Sequence, residues 1–177
     1  MRNWRHHDDQ FISATNLLEE LKDNHIHQAF ELSNTRALGI YIRQSIDFLS
    51  AKTKEISIDA TYGTLSAGMQ IFAVLAELDG TGVPVAYLFV EKDASRESAF
   101  PGTLTQILEQ FLRNLDQTGL TPSFVGCDKD KSELNAIQQV WPFVRFNYVS
   151  GMRSGLFRVG LRNPRGQTLW SITCQER

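Results

Sequence analysis

Cysteine is scarce in this chain: there are two among 177 residues. Cys127 and Cys174 lie far apart, and neither sits in a Cys-x-x-Cys or Cys/His cluster of metal-ligand spacing. A reduced, intracellular protein without a zinc site is expected. Long apolar runs are missing as well. No stretch approaches the ~20 residues of a membrane helix. The start, Met1-Arg2-Asn3-Trp4-Arg5-His6-His7-Asp8-Asp9, carries basic residues with no apolar run behind them, so neither a secretion signal nor a membrane partner is expected. An excess of charge of one sign is lacking too. Eighteen Lys and Arg against 20 Asp and Glu leave a formal charge of −2, so any attraction for nucleic acid must come from local patches. No Gly-x-Ser-x-Gly nucleophile motif is present. Gly80 and Gly82 have no Gly-Lys-Ser/Thr after them and read as hairpin residues rather than a phosphate loop. No small-molecule substrate site is indicated.

What is present suffices for one core. With 42% hydrophobic residues, a chain of this length buries one full core but not two large ones. Three segments are expected: an N-terminal helical extension over 1–54, an α/β core over 55–150, and an Arg-rich tail over 151–177. In the first, Phe11, Ala14, Leu17, Leu18 and Leu21 fall at helical spacing, with capping side chains nearby in Ser13-Ala14-Thr15-Asn16. Ala37, Ile40, Tyr41 and Phe48 form a second helical set, and the polar stretch with His25 and His27 reads as a connection. The pairs His6-His7 and His25-x-His27 have no fixed partner set and are not read as ligands.

From Glu55 the periodicity becomes extended. Residues 55–62 are short and β-branched, and Gly63 closes them; residues 70–78 and 84–90 flank the turn Asp79-Gly80-Thr81-Gly82. Asp-Gly between apolar runs predicts a hairpin, hence three antiparallel strands. Leu104, Ile107, Leu108, Phe111, Leu112 and Leu115 mark a helix at i, i+3, i+4, i+7, i+8 and i+11, with Gly119 as its C′ residue. Pro122 opens a strand, 123–127, that delivers Asp128. A helix then starts at 129–132, runs through Leu134, Ile137 and Trp141, and ends at Pro142. Residues 144–149 alternate as a fifth strand. Three antiparallel strands, then helix, strand, helix, strand, is the order of a ribonuclease-H-like mixed sheet.

Two carboxylates stand out. Asp59 interrupts an apolar strand and Asp128 ends another. An acidic side chain within a buried strand costs several kcal/mol unless it is paired, hydrogen-bonded or bound to a cation. If their strands are neighbours, the two can converge on divalent ions for phosphoryl transfer, and an oxygen-only donor set suits a hard cation. The bland alternative is that Asp59 caps a turn and Asp128 caps the helix near Lys131. Asp130 and Glu133 read as an exposed helix start, or as support for the pair.

Three blocks carry a family resemblance. Asp59-Ala60-Thr61-Tyr62-Gly63-Thr64 resembles the Asp-Ala/Ser-Thr-aromatic-x-Thr opening of Mutator-like element (MULE) transposase domains, particularly fungal ones. The hydrophobic run 72–88 is similar to the family's hairpin leading into Gly-x-Pro-x-Ala. Asp128-Lys129-Asp130-Lys131-Ser132-Glu133-Leu134-Asn135-Ala136-Ile137 resembles its Asp-Lys-Asp…Glu-x-x-Ala-Ile block. The resemblance implies Asp59 and Asp128 as catalytic and metal-binding members of an Asp-Asp-Glu triad that cuts and joins DNA with Mg²⁺ or Mn²⁺. It also implies a nuclear location and leaves room for a homo-oligomer.

The chain departs from the family in two places. The expected Cys-x-x-His element is replaced by Val149-Ser150-Gly151-Met152. The family's third acidic residue lies well downstream, past an inserted helical region, whereas this sequence stops at Arg177 with Glu176 alone after Glu133. A truncated or degenerate transposase domain is therefore expected, with a non-catalytic, domesticated DNA- or protein-binding module as the alternative. Arg145, Arg153, Arg158, Arg162 and Arg165, interleaved with Phe146, Tyr148, Phe157 and Trp170, suit phosphate contact and base stacking. The competing reading is a solvated surface with core aromatics.

Overall fold

A computed structural model describes residues 7–21, 23, 25–32, 35–62, 69–91, 102–128 and 130–148. Among them the elements run α1 (Gln10–Glu20), β1 (His25–Leu32), β2 (Thr35–Ile42), α2 (Arg43–Leu49), β3 (Glu55–Tyr62), β4 (Met69–Leu78), β5 (Thr81–Glu91), α3 (Thr103–Gln117), β6 (Phe124–Cys127), α4 (Lys131–Val140) and β7 (Arg145–Tyr148). The seven described strands form one mixed sheet in the order β1-β2-β5-β4-β3-β6-β7.

The expected core elements form where their patterns placed them. β4 and β5 meet at Asp79 and Gly80, both with positive φ (49° and 81°). That is the backbone an Asp-Gly hairpin turn needs. α3 turns its buried side, with Ile107, Leu108, Phe111, Leu112 and Leu115, toward the sheet. Each such side chain contributes roughly 1.5–3 kcal/mol on leaving water. Gly119, at φ 91°, follows α3 as expected of a C′ residue. Ile56, Ile58, Phe72, Val74, Ala86 and Leu88 form the sheet side of this core.

The helical reading of the N-terminal segment needs correction. α1 forms, but Asp9 caps it, accepting from the amides of Phe11 (2.8 Å) and Ile12 (3.2 Å). Ser13, Thr15 and Asn16 lie inside the helix. Residues 25–42 form an antiparallel hairpin, not a connection and a helix, and β2 continues the sheet alongside β5. Ala37, Ile40 and Tyr41 fall at helical spacing by coincidence. β2 lies between two strands, and Ala37, Leu38 and Gly39 are all buried. An inner strand covered on both faces loses the alternation that would betray it.

The hairpin is tied into the body of the domain. Tyr41 stacks on Phe111 with ring centroids 5.2 Å apart, and its hydroxyl donates to the Phe111 carbonyl at 3.1 Å. Arg36 on β2 bridges Asp9 (2.7 Å) and Glu91 (2.6 Å). This joins the α1 cap to β2 and β5. Gly39 permits the close approach of α3: a Cβ there would stand 3.0 Å from both Phe111 Cδ2 and Phe30 Cε2. Gly39→Ala is therefore expected to destabilise the fold by about 1–3 kcal/mol through overpacking, read as a lower urea midpoint at unchanged slope.

Candidate metal centre

β3 pairs with β4 on one side and in parallel with β6 on the other, with Ser57 level with Gly126. Two residues further along each strand come Asp59 and Asp128. Parallel register therefore sets the two acids level, one strand apart, a separation of ~4.8 Å between the strand backbones. Side chains alternate across a strand, and Ile56 and Ile58 point into the α3 core, so Asp59 lies on the opposite sheet face. Asp128 follows the last residue of β6 and is exposed.

The environment of Asp59 is apolar and negatively charged. Burial, followed by the charge of Asp128, pushes the Asp59 carboxyl up to about 6. Both causes disfavour the ionised form. Beneath this pair, the chain enters α4. Asp130, not Asp128, is the cap: its Oδ1 accepts from the amides of Ser132 (2.8 Å) and Glu133 (3.4 Å). The reading of Asp128 as a helix cap is thereby corrected.

Glu133 is the residue that sequence reasoning placed wrongly. It is 2% exposed, and neither carboxylate oxygen has a hydrogen-bond partner. Burial first, then the charges of Asp130, Asp128 and Asp59, push its carboxyl up to about 8. The Asp128 backbone amide opposes these effects. A signal was available in the sequence: Glu133, Ala136 and Ile137 fall at i, i+3 and i+4, so Glu133 shares the inward stripe of α4. Cys127, the last residue of β6, is also buried here. Its thiol is pushed up to about 12 by burial and by the charges of Glu133 and Asp128, so it stays neutral.

Among the described residues no three His, Cys, Asp or Glu side chains stand together as a ready-made metal site. Asp59 and Asp128 are nonetheless oxygen donors, the ligand type that a hard divalent cation takes.

The remaining candidates lie elsewhere. Arg145 is on β7, exposed, with its guanidinium 5.8 Å from the Phe124 ring centre. Arg153, Arg158, Arg162 and Arg165 fall outside the described residues. His27 meets Glu19 at 3.4 Å, which ties β1 to α1. An open groove lined by Lys54, Asp116, Pro122, Trp141, Phe143 and Arg145 lies at the opposite end of β3 and β6 from the acids. No described helix is long and apolar enough to cross a membrane.

Comparison with protein-family models matches residues 55–149 to the MULE transposase domain. The match spans β3 to β7 and more than half of the chain. Searches of curated proteins and of solved structures returned no match.

Proposed function

Because the chain belongs to the MULE transposase domain family, we propose that it is a ribonuclease-H-like domain for DNA strand cleavage and transfer, with Asp59 and Asp128 holding Mg²⁺ or Mn²⁺. The observation that carries this reading is the level placement of the two acids on neighbouring parallel strands, with the charge of Asp128 acting on Asp59. The fold assignment draws support from the element order. Counting β3 as first, the family-matched strands run third, second, first, fourth, fifth across the sheet.

When bound, divalent cations supply charge stabilisation at the attacking and leaving oxygens of a phosphoryl transfer. The chain's own part is to hold oxygen donors in place. β3 fixes Asp59 within a paired strand, where its backbone cannot drift. β6 ends at Cys127, so Asp128 leaves the sheet at the level of Asp59 and faces the approach from solvent. Arg145 is available for a backbone phosphate as an exposed cation on the edge strand. A nuclear location follows from the DNA substrate.

The test is a calorimetric titration of the full chain with Mn²⁺. A saturable heat that both Asp59→Asn and Asp128→Asn abolish is the expected result. Mn²⁺-dependent nicking of supercoiled DNA should fall in both variants by ~100-fold or more, as loss of several kcal/mol of transition-state stabilisation requires. Undiminished heat and nicking in both variants would overturn the proposal.

A further inference from the structure

We propose that the open edge of β1 pairs antiparallel with β1 of a second copy of this chain, about a two-fold axis at Ala29, so that the two sheets run on as one. The β1–β2 hairpin precedes residue 55, where the family match begins. It covers the side of β5 and becomes the sheet's edge in its place.

The first observation is an edge without protection. Among the described residues β1 pairs with β2 alone, so every second residue turns its backbone N–H and C=O outward with no strand to meet them. Edge strands are ordinarily kept from association by shortness, by bulges, by proline or by lysine. β1 has eight residues, an unbroken register, and no Pro, Lys or Arg. The opposite edge is different: β7 has four residues and begins on Arg145.

The second observation is apolar surface at this edge. Ile26 on β1 is 42% exposed, and Leu21, at the end of the helix that meets β1 through the Glu19–His27 contact, is 50% exposed. Apolar side chains flanking an open ladder of hydrogen-bonding groups are what a strand-to-strand interface covers.

The third is self-complementarity, which selects the occupant. Pairing about Ala29 sets His27 opposite Glu31 of the second copy, and the symmetry repeats that pair. It also sets Ile26 opposite Leu32, again twice. Imidazole thus meets carboxylate on the face that carries α1, where His27 lies against Glu19. Apolar meets apolar on the face that carries α3, where Gln28 accepts from Asn114. Ala29 and Glu31 are exposed and His27 is half-buried, so this face is open at the axis. Matched cross-strand pairs of both kinds stabilise an antiparallel ladder.

Sedimentation of the full chain over a range of concentrations tests the proposal. The unaltered chain should reach twice the monomer mass. Glu31→Lys, which puts a second cation beside His27, and Ile26→Lys, which charges the edge, should each weaken the dimer by about tenfold or more. Asp79→Asn, on the distant turn, should leave it unchanged. Matching circular dichroism melts of the dilute variants would show that both lysine variants fold. Register is read by mild oxidation in a Cys174→Ser background. Ile26→Cys mixed with Leu32→Cys should yield an interchain disulfide, because opposite residues stand ~4.5–5.5 Å apart at Cβ. Ile26→Cys alone should not, because six residues of strand hold the two copies of that position roughly 20 Å apart. A chain that stays monomeric at about 100-fold above a micromolar Kd, or a dimer indifferent to both lysine variants, overturns the proposal and leaves the edge to a strand of some other protein. A disulfide in Ile26→Cys alone overturns the axis at Ala29.

Discussion

The cation-free protein is expected to lose stability steadily as pH rises from about 4 to about 8, by about 1–3 kcal/mol once solvent screening of the half-exposed Asp59 is allowed for. The groups responsible are Asp59, held at about 6 against an ordinary 3.8, and Glu133, held at about 8 against 4.5. Burial is the leading cause for both. Asp128 adds its charge against Asp59, while Asp130, Asp128 and Asp59 add theirs against Glu133. Between the ordinary and the raised values, the unfolded chain has released its protons and the folded chain retains them. Folding then takes up protons, so raising the pH favours unfolding. The stability contribution is whole below about 4 and gone above about 8. Glu55, also raised by burial, acts in the same direction. Urea unfolding at intervals across this range in a chelating buffer should show the midpoint falling with pH. Saturating Mn²⁺ should flatten the slope, because cation binding selects the ionised carboxylates. A midpoint independent of pH without cation would contradict the burial of these acids.

Phe111→Ala is expected to cost about 3–5 kcal/mol, the usual range for emptying a fully buried aromatic site. Phe111 is 0% exposed and stacks on Tyr41, so its loss opens a cavity between α3 and β2. The consequence should reach beyond α3, because the Tyr41–Phe111 contact is where the N-terminal hairpin joins the core. Amide hydrogen exchange should quicken in β1 and β2 together with α3. A loss of protection confined to α3 would mean that the hairpin draws its stability from its pairing with β5 alone.

Legibility from sequence followed exposure to solvent. Some elements declared themselves: α3 by its apolar stripe, and β4 and β5 by the apolar runs on either side of Asp79-Gly80. β2 did not, because it is an inner strand with buried residues on both faces. The absence of alternation and the chance spacing of Ala37, Ile40 and Tyr41 imitated a helix. The site divided in the same way. Asp59 and Asp128 were visible as charges against apolar strands. Glu133 was hidden by its company. Among Lys129, Asp130, Lys131 and Ser132 it looked like one more solvated residue of a helix start, although its spacing from Ala136 and Ile137 placed it on the inward side. Local composition and helical phase disagreed there, and phase was the better guide.

The parallel pairing of β3 with β6 also acts as a proofreading step for the centre. Side chains on a strand change face at every residue, so a slip of β6 by one position against β3 would carry Asp128 out of level with Asp59 and turn Val125 or Cys127 onto the face that Gly126 occupies. The hydrophobic cost of that slip falls on Val125, which is fully buried in the native register. Correct folding of an apolar strand and level placement of the two acids are thus one event.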